Sequence, residues 1–130
     1  MAIPPQCVDS GEQPTGSIPI WLGGSGEKAL DRACRLADGF IFFGGGAKNT
    51  VEIWRMLREG VARAGRSVDE FGGDYVALSG GDMGELTREV EEWRNSGGTH
   101  MSVVTMGLGL DSVEAHIDWI SSLSERLGLS

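Results

Sequence analysis

The stretch from Ile18 to Phe43 constrains the fold more than any other part of the chain. It reads IPIWLGGSGEKALDRACRLADGFIFF, in which two short apolar runs flank a segment with apolar residues at helical spacing. Short apolar runs bounded by glycine are typical of buried parallel strands, and the helical spacing predicts one apolar helix face. The stretch therefore predicts a βαβ unit.

The first turn of this unit is a candidate ligand site. Gly23 and Gly24 follow the first strand, and we predict that the Ser25 hydroxyl caps the helix. Free N–H groups and the positive end of a helix bind phosphate well, although a tight turn without a ligand has the same sequence. The segment GSGEKA loosely fits a dinucleotide fingerprint, but the next strand ends in FFGGG without the required carboxylate. A phosphate is therefore favoured over a nicotinamide cofactor.

The rest of the chain continues the same alternation. Residues 1–17 hold three of the four prolines and predict an irregular N-terminal arm, and residues 18–130 predict one domain of four βα units. Strands are predicted at 74–79 and 101–106. Apolar stripes predict three further helices, carried by Trp54, Leu57 and Val61, by Met83, Leu86, Val90 and Trp93, and by Val113, Ile117, Ile120 and Leu127. Capping boxes are predicted at Asn49 with Glu52, Asp82 with Glu85, and Asp111 with Glu114.

Four consecutive βα units predict an α/β fold with a parallel sheet and one uncovered face. Right-handed crossovers between neighbouring strands place every helix on the same side. The strands lack polar alternation, so we expect the other face to be apolar and to need cover. Either the strand order reverses, as in doubly wound folds, or the four strands are half of an eight-stranded barrel completed by another chain.

Charge and composition exclude several classes of partner. The formal net charge of −8 disfavours nucleic acid and anionic membranes as partners.

We expect Cys34 to be a reduced, buried thiol. The two histidines predict no metal site, because His100 starts a strand far from the expected site and His116 should face solvent. We find no signal sequence and no membrane-spanning run, so a cytoplasmic protein is expected.

Two segments resemble one protein family. IPIWLGGSGEKALDRACRLADGFIF is similar to a segment of luciferase-like monooxygenases, above all of their deazaflavin-dependent oxidoreductases. EEWRNSGGTHMSVVTMGLGLDSVEAHID resembles the closing strand and helix of that family. The resemblance implies the C-terminal half of a (β/α)8 barrel that uses flavin mononucleotide (FMN) or a deazaflavin coenzyme. In that family most of the groups that shape the substrate pocket belong to the N-terminal half.

The resemblance implies that the phosphate end of the cofactor site lies at the first glycine turn. We therefore predict cofactor-binding roles for Gly23, Gly24 and Ser25, for the cluster that begins with Gly44 and Gly45, and for Thr105 at the last strand's end. No catalytic residue is assigned. We expect a flavin- or deazaflavin-dependent oxidoreductase with a small-molecule substrate, forming a homo-oligomer through its open sheet face. The alternative is a self-associating half-barrel that has lost the family's chemistry.

Overall fold

The computed structural model describes residues 17–78 and 82–129, which form a regular alternation of strands and helices. The predicted N-terminal arm, apart from Ser17, lies outside the described residues. In chain order the elements are β1 (Trp21–Gly23), α1 (Glu27–Leu36), β2 (Gly39–Phe43), α2 (Ala47–Arg63), β3 (Gly72–Ala77), α3 (Met83–Asn95), β4 (His100–Val103) and α4 (Val113–Arg126).

The four strands form one parallel sheet in the order β1-β2-β3-β4. Trp21 lies opposite Gly39, Gly39 opposite Gly72, and Asp74 opposite His100. The strand order does not reverse, so the doubly wound alternative is wrong. Since each crossover joins neighbouring parallel strands, the helices share one face of the sheet. This confirms the predicted α/β fold of four βα units, half of a (β/α)8 barrel.

An aromatic cluster fills the core between the sheet and the helices. Trp54 is 1% exposed and stacks on Phe71 with ring centroids 5.9 Å apart. Phe42 of β2 meets Trp54 and Trp93 edge to face at 6.2 and 5.6 Å. The predicted buried stripe of α2 is confirmed, because Trp54, Leu57 and Val61 are all buried. Edge-to-face and offset aromatic pairs stabilise a core beyond their buried area.

Cys34 fixes the contact between α1 and α2. Its side chain is 8% exposed, and its thiol donates a hydrogen bond to the Leu57 carbonyl at 3.6 Å. Burial, followed by the nearby Asp31 carboxylate, raises the pKa of the thiol. The prediction of a buried thiol is therefore confirmed.

The opposite face of the sheet is held by one tryptophan. The Trp21 ring lies over Gly39 and Gly72, where an added Cβ would collide with it, and it meets the His100 ring edge to face at 5.1 Å. The Trp21 side chain thus reaches from the first strand across two glycines to the fourth. This packing requires glycine at both positions.

The prediction of a wholly apolar open face is wrong. Ile41 and Phe43 are exposed there, but Asp74 and Ser102 share the face, and the Ser102 hydroxyl donates to the Asp74 carboxylate at 2.9 Å. In β4, His100 and Ser102 alternate with Met101 and Val103, a polar alternation that the prediction did not take into account. The face nevertheless keeps an apolar rim at Phe43, which is 73% exposed.

Three of the predicted caps are wrong. Gly26 and Gly46, with φ of 87° and 78°, precede α1 and α2, so neither Ser25 nor the pair Asn49 and Glu52 occupies the cap positions. Glycine takes these positions because it adopts positive φ without a Cβ clash. Ser112 caps α4 in place of Asp111, since its hydroxyl accepts from the Ala115 N–H at 3.1 Å.

The cap at Asp82 is confirmed, since its carboxylate accepts from the Glu85 N–H at 3.0 Å. The predicted strands are displaced by a few residues, and Ser79 lies outside the described residues.

The predicted buried stripe of α4 is wrong over most of its length. Val113, Ile117 and Ile120 are 70%, 56% and 52% exposed, whereas Leu123 is buried. The physical reason is position, because α4 ends the row of helices and no further helix of the described chain lies beyond it. The periodicity is that of a helix whose apolar face this chain covers only in part.

We expect Gly72→Ala to destabilise the protein by about 1–3 kcal/mol, because the new methyl group would displace the Trp21 ring. The measurement is the free energy of unfolding in urea. In a Trp21→Ala background the same change should cost much less. Equal costs in the two backgrounds would contradict the contact between Trp21 and Gly72.

Candidate functional site

A small cavity lies where β1 and β2 end and α1 and α2 begin. Its volume is about 220 Å³. The loop before α1 and the loop before α2 form its two sides, and apolar side chains close its base. The residues that line it are Gly24, Ser25, Gly26, Leu30, Phe40, Phe42, Phe43, Gly44, Gly45, Asn49, Thr50 and Ile53.

Glycines let the two loops approach a ligand closely. Gly24, Gly44 and Gly45 have φ of 131°, 72° and 89°, a region that favours glycine. A Cβ at Gly45 would lie 3.3 Å from the Asn49 amide nitrogen. Side chains at these positions would narrow the cavity and strain the loops, so the backbone itself forms much of the wall.

The lining supplies neutral hydrogen-bond donors at two helix N-termini. Ser25 contributes a hydroxyl and Asn49 an amide, and the first turns of α1 and α2 have N–H groups without partners inside the helix. The Thr50 hydroxyl donates to the Gly46 carbonyl at 2.9 Å, which leaves only its oxygen lone pairs for other contacts. None of the lining residues is charged. Two helix dipoles and uncharged donors favour an anion.

The adjoining cavity, about 580 Å³ in volume, has the opposite electrostatic character. Its lining includes Glu52, Glu85 and Glu89 beside a single cation, Lys48. Burial, followed by the charge of Glu85, raises the pKa of the Glu89 carboxyl. Three carboxylates beside one lysine repel a negatively charged phosphate. The smaller cavity is therefore the better anion site.

Tyr75 lies near one of these carboxylates, Glu89. Burial, together with the charge and hydrogen bonding of Glu89, raises the pKa of the Tyr75 hydroxyl to about 12. The hydroxyl therefore stays protonated at neutral pH and can act only as a neutral group.

The structure brings together four of the predicted cofactor-binding residues. Gly24 and Ser25 line the cavity from one side, and Gly44 and Gly45 line it from the other. Gly23 ends β1 and immediately precedes the lining residues. Ser25 is exposed and makes no cap to α1, so its hydroxyl is available to a ligand.

Thr105 lies apart from this cavity. Its hydroxyl is within 2.9 Å of the His116 Nδ1 atom. This pairing links the segment after β4 to α4. It also corrects the prediction that His116 faces solvent, because the side chain is half-buried and turned toward Thr105. A hydrogen-bonding partner eleven residues earlier could not be inferred from helical periodicity.

Asn49 and Thr50 are site residues that the sequence analysis did not assign to ligand binding. The sequence did contain a signal for them, because they closely follow a glycine triplet. Polar side chains in the first turn of a helix lie at the same end as its free N–H groups. The prediction that Asn49 caps the helix placed the start of the helix too late. It therefore assigned the Asn49 side chain to the cap and not to a ligand.

Across residues 17–78 and 82–129, no three side chains of His, Cys, Asp or Glu are placed to hold a metal ion. In the same part of the chain, no helix combines the length and the apolar character needed to cross a bilayer.

The fold is that of half a (β/α)8 barrel, and the cavity lies at the carboxyl ends of its strands, where barrel enzymes place their sites. The family model for luciferase-like monooxygenases matches residues 3–80, which is more than half of the chain. The chain belongs to this family.

A curated relative provides a second comparison. The F420-dependent glucose-6-phosphate dehydrogenase of Nakamurella multipartita is 43% identical over 62 residues, which are 46% of this chain and 18% of that protein. The matched region is therefore less than a fifth of that relative's length.

We expect Glu89→Gln to stabilise the protein at pH 7 and to have no effect near pH 3. A native pKa above the ordinary value of about 4.3 means that the folded state binds the proton more tightly than the unfolded state. The stability from this proton is complete at low pH and is lost as the pH rises through the native pKa. Urea midpoints measured across this range test the expectation, and an advantage that persists at pH 3 would contradict it.

Proposed function

We propose that this chain is the cofactor-binding part of a flavin- or deazaflavin-dependent oxidoreductase, and that the turn Gly23–Ser25 binds the cofactor phosphate. The observation that carries the proposal is the uncharged cavity at the start of α1 and α2, where Gly24 and Ser25 meet Gly44 and Gly45. Membership of the luciferase-like monooxygenase family supports a cofactor of this kind.

The cavity suits the phosphate better than the rest of the cofactor. A volume of about 220 Å³ admits a phosphate group but falls below the ~300 Å³ at which pockets for larger ligands begin. Ser25 and Asn49 would donate side-chain hydrogen bonds, and the first turns of the helices would donate from backbone N–H groups.

The relative's name favours a deazaflavin among the candidate cofactors. It is described as F420-dependent, and F420 is a deazaflavin. The relative's name also gives a small phosphorylated sugar as its substrate. We propose that the substrate of this chain is a small molecule as well. A bound flavin or deazaflavin supplies the hydride chemistry, and the chain's own residues bind it, orient it and exclude water.

The contribution of this chain is binding rather than proton transfer. None of the residues that line the cavity titrates near neutral pH. This observation also favours a second candidate, a half-barrel that keeps the fold without catalysis. The two differ in one measurable property, because only the first requires selective binding of the phosphorylated cofactor.

We expect FMN to bind at least tenfold more tightly than riboflavin, which lacks the phosphate, and F420 to compete with FMN. Ser25→Ala should weaken FMN binding by about 2- to 10-fold, the value of one neutral hydrogen bond, and should leave riboflavin binding unchanged. Quenching of tryptophan fluorescence during titration gives the affinities.

Ser67→Ala is the matched control, because Ser67 is an exposed serine outside the cavity. It should leave both affinities unchanged. Equal affinity for FMN and riboflavin would remove the phosphate from the proposal. No binding of either flavin or of F420 at high micromolar concentration would favour the non-catalytic half-barrel.

A further inference from the structure

We propose that two copies of this chain close an eight-stranded barrel, with β4 of each copy pairing in parallel with β1 of the other. The inference concerns association and goes beyond the proposed cofactor site. Three groups of exposed apolar side chains carry it: those before and within the first βα unit, those on the open sheet face, and those on α4.

The strand order leaves two matching edges. β1 and β4 lie at opposite edges of the sheet, and each has a strand partner on one side only within the described residues. A two-fold axis along the barrel axis keeps all strands parallel and satisfies both edges at once. Four strands from each copy give eight, the number at which side chains can fill a barrel interior.

The exposed apolar residues are concentrated where such a barrel would bury them. Of the twelve large hydrophobic side chains that are exposed in the described residues, eight belong to the three groups, and Met56, Leu78, Met106 and Leu129 do not. The eight are Ile18, Ile20 and Leu36 in the first group, Ile41 and Phe43 in the second, and Val113, Ile117 and Ile120 in the third. In a closed ring of helices α4 of one copy lies beside α1 of the other, so the neighbouring helix would cover the exposed side of α4.

The exposed area of these side chains would suffice for a stable dimer. The eight side chains are 38% to 76% exposed. With roughly 180 Å² for a whole residue of this size, they present about 900 Å² per copy. Two copies therefore offer about 1,800 Å² of apolar surface, within the range that standard stable interfaces bury.

The polar groups of the open face oppose this burial only in part. The Asp74 carboxylate accepts a hydrogen bond from the Ser102 hydroxyl at 2.9 Å, which lowers but does not remove the cost of taking it out of water, and the apolar contacts of the dimer have to exceed that cost. Trp21 already fills the amino-terminal end of the face above its two glycines. The remaining apolar residues, Ile41 and Phe43, lie toward the strands' carboxyl ends, where the second copy would cover them.

Sedimentation velocity of the full chain at micromolar concentration tests the proposal, and we expect twice the mass of one chain. Phe43→Asp changes the open face, and Ile117→Asp changes the exposed side of α4. Each should weaken the dimer at least tenfold, because a charge at a buried apolar contact is left without a partner. Met56→Asp is the control, since Met56 is 48% exposed on α2 outside all three groups, and it should leave the mass unchanged.

Far-UV circular dichroism separates loss of pairing from loss of folding, because all three positions are exposed and the variants should keep the native spectrum. A monomer at every concentration would overturn the proposal. A dimer weakened by Phe43→Asp but not by Ile117→Asp would also overturn it, because that result indicates two stacked sheets rather than a closed ring. The measurements need no cofactor, so they remain valid if the proposed cofactor site is wrong.

Discussion

The structure depends on one constraint: its parallel sheet has helices on a single face. Parallel strands joined by helical crossovers of one hand cannot place cover on both sides unless the strand order reverses. Here the order runs β1-β2-β3-β4 without reversal. Every other feature follows from this arrangement, including the aromatic core, the exposed rim at Phe43 and the shared direction of all four helix N-termini.

The shared direction also explains where a ligand site can form. Each helix starts at the carboxyl end of the sheet, so the positive ends of α1 and α2 lie side by side. Glycines in both connecting loops keep the space between them open, and Ser25 and Asn49 add uncharged donors. The carboxylates that would repel an anion are confined to the neighbouring cavity around Glu85 and Glu89. The proposed preference for an anion therefore rests on the placement of neutral groups.

Side chains of the chain itself cover part of the open sheet face. Trp21 spans Gly39 and Gly72 and reaches His100. One large side chain therefore fills space that several facing side chains fill in a complete barrel. Asp74 and Ser102 satisfy each other on the same face. The apolar surface that remains lies at the rim, on α4 and beside the first βα unit, and its distribution is that of an incomplete ring of helices and strands.

The sequence by itself determined the order of the elements, the parallel sheet, the burial of Trp54, Leu57, Val61 and Cys34, and the position of the glycine turns, because these follow from local periodicity and glycine placement. Only the tertiary structure decided which apolar residues are covered. Val113 and Ile117 have the periodicity of a buried face but lie at the end of the row of helices. The helix starts, the position of Asn49 in the cavity wall and the pairing of His116 with Thr105 also needed the structure, because each depends on loop geometry or on a contact that periodicity cannot encode.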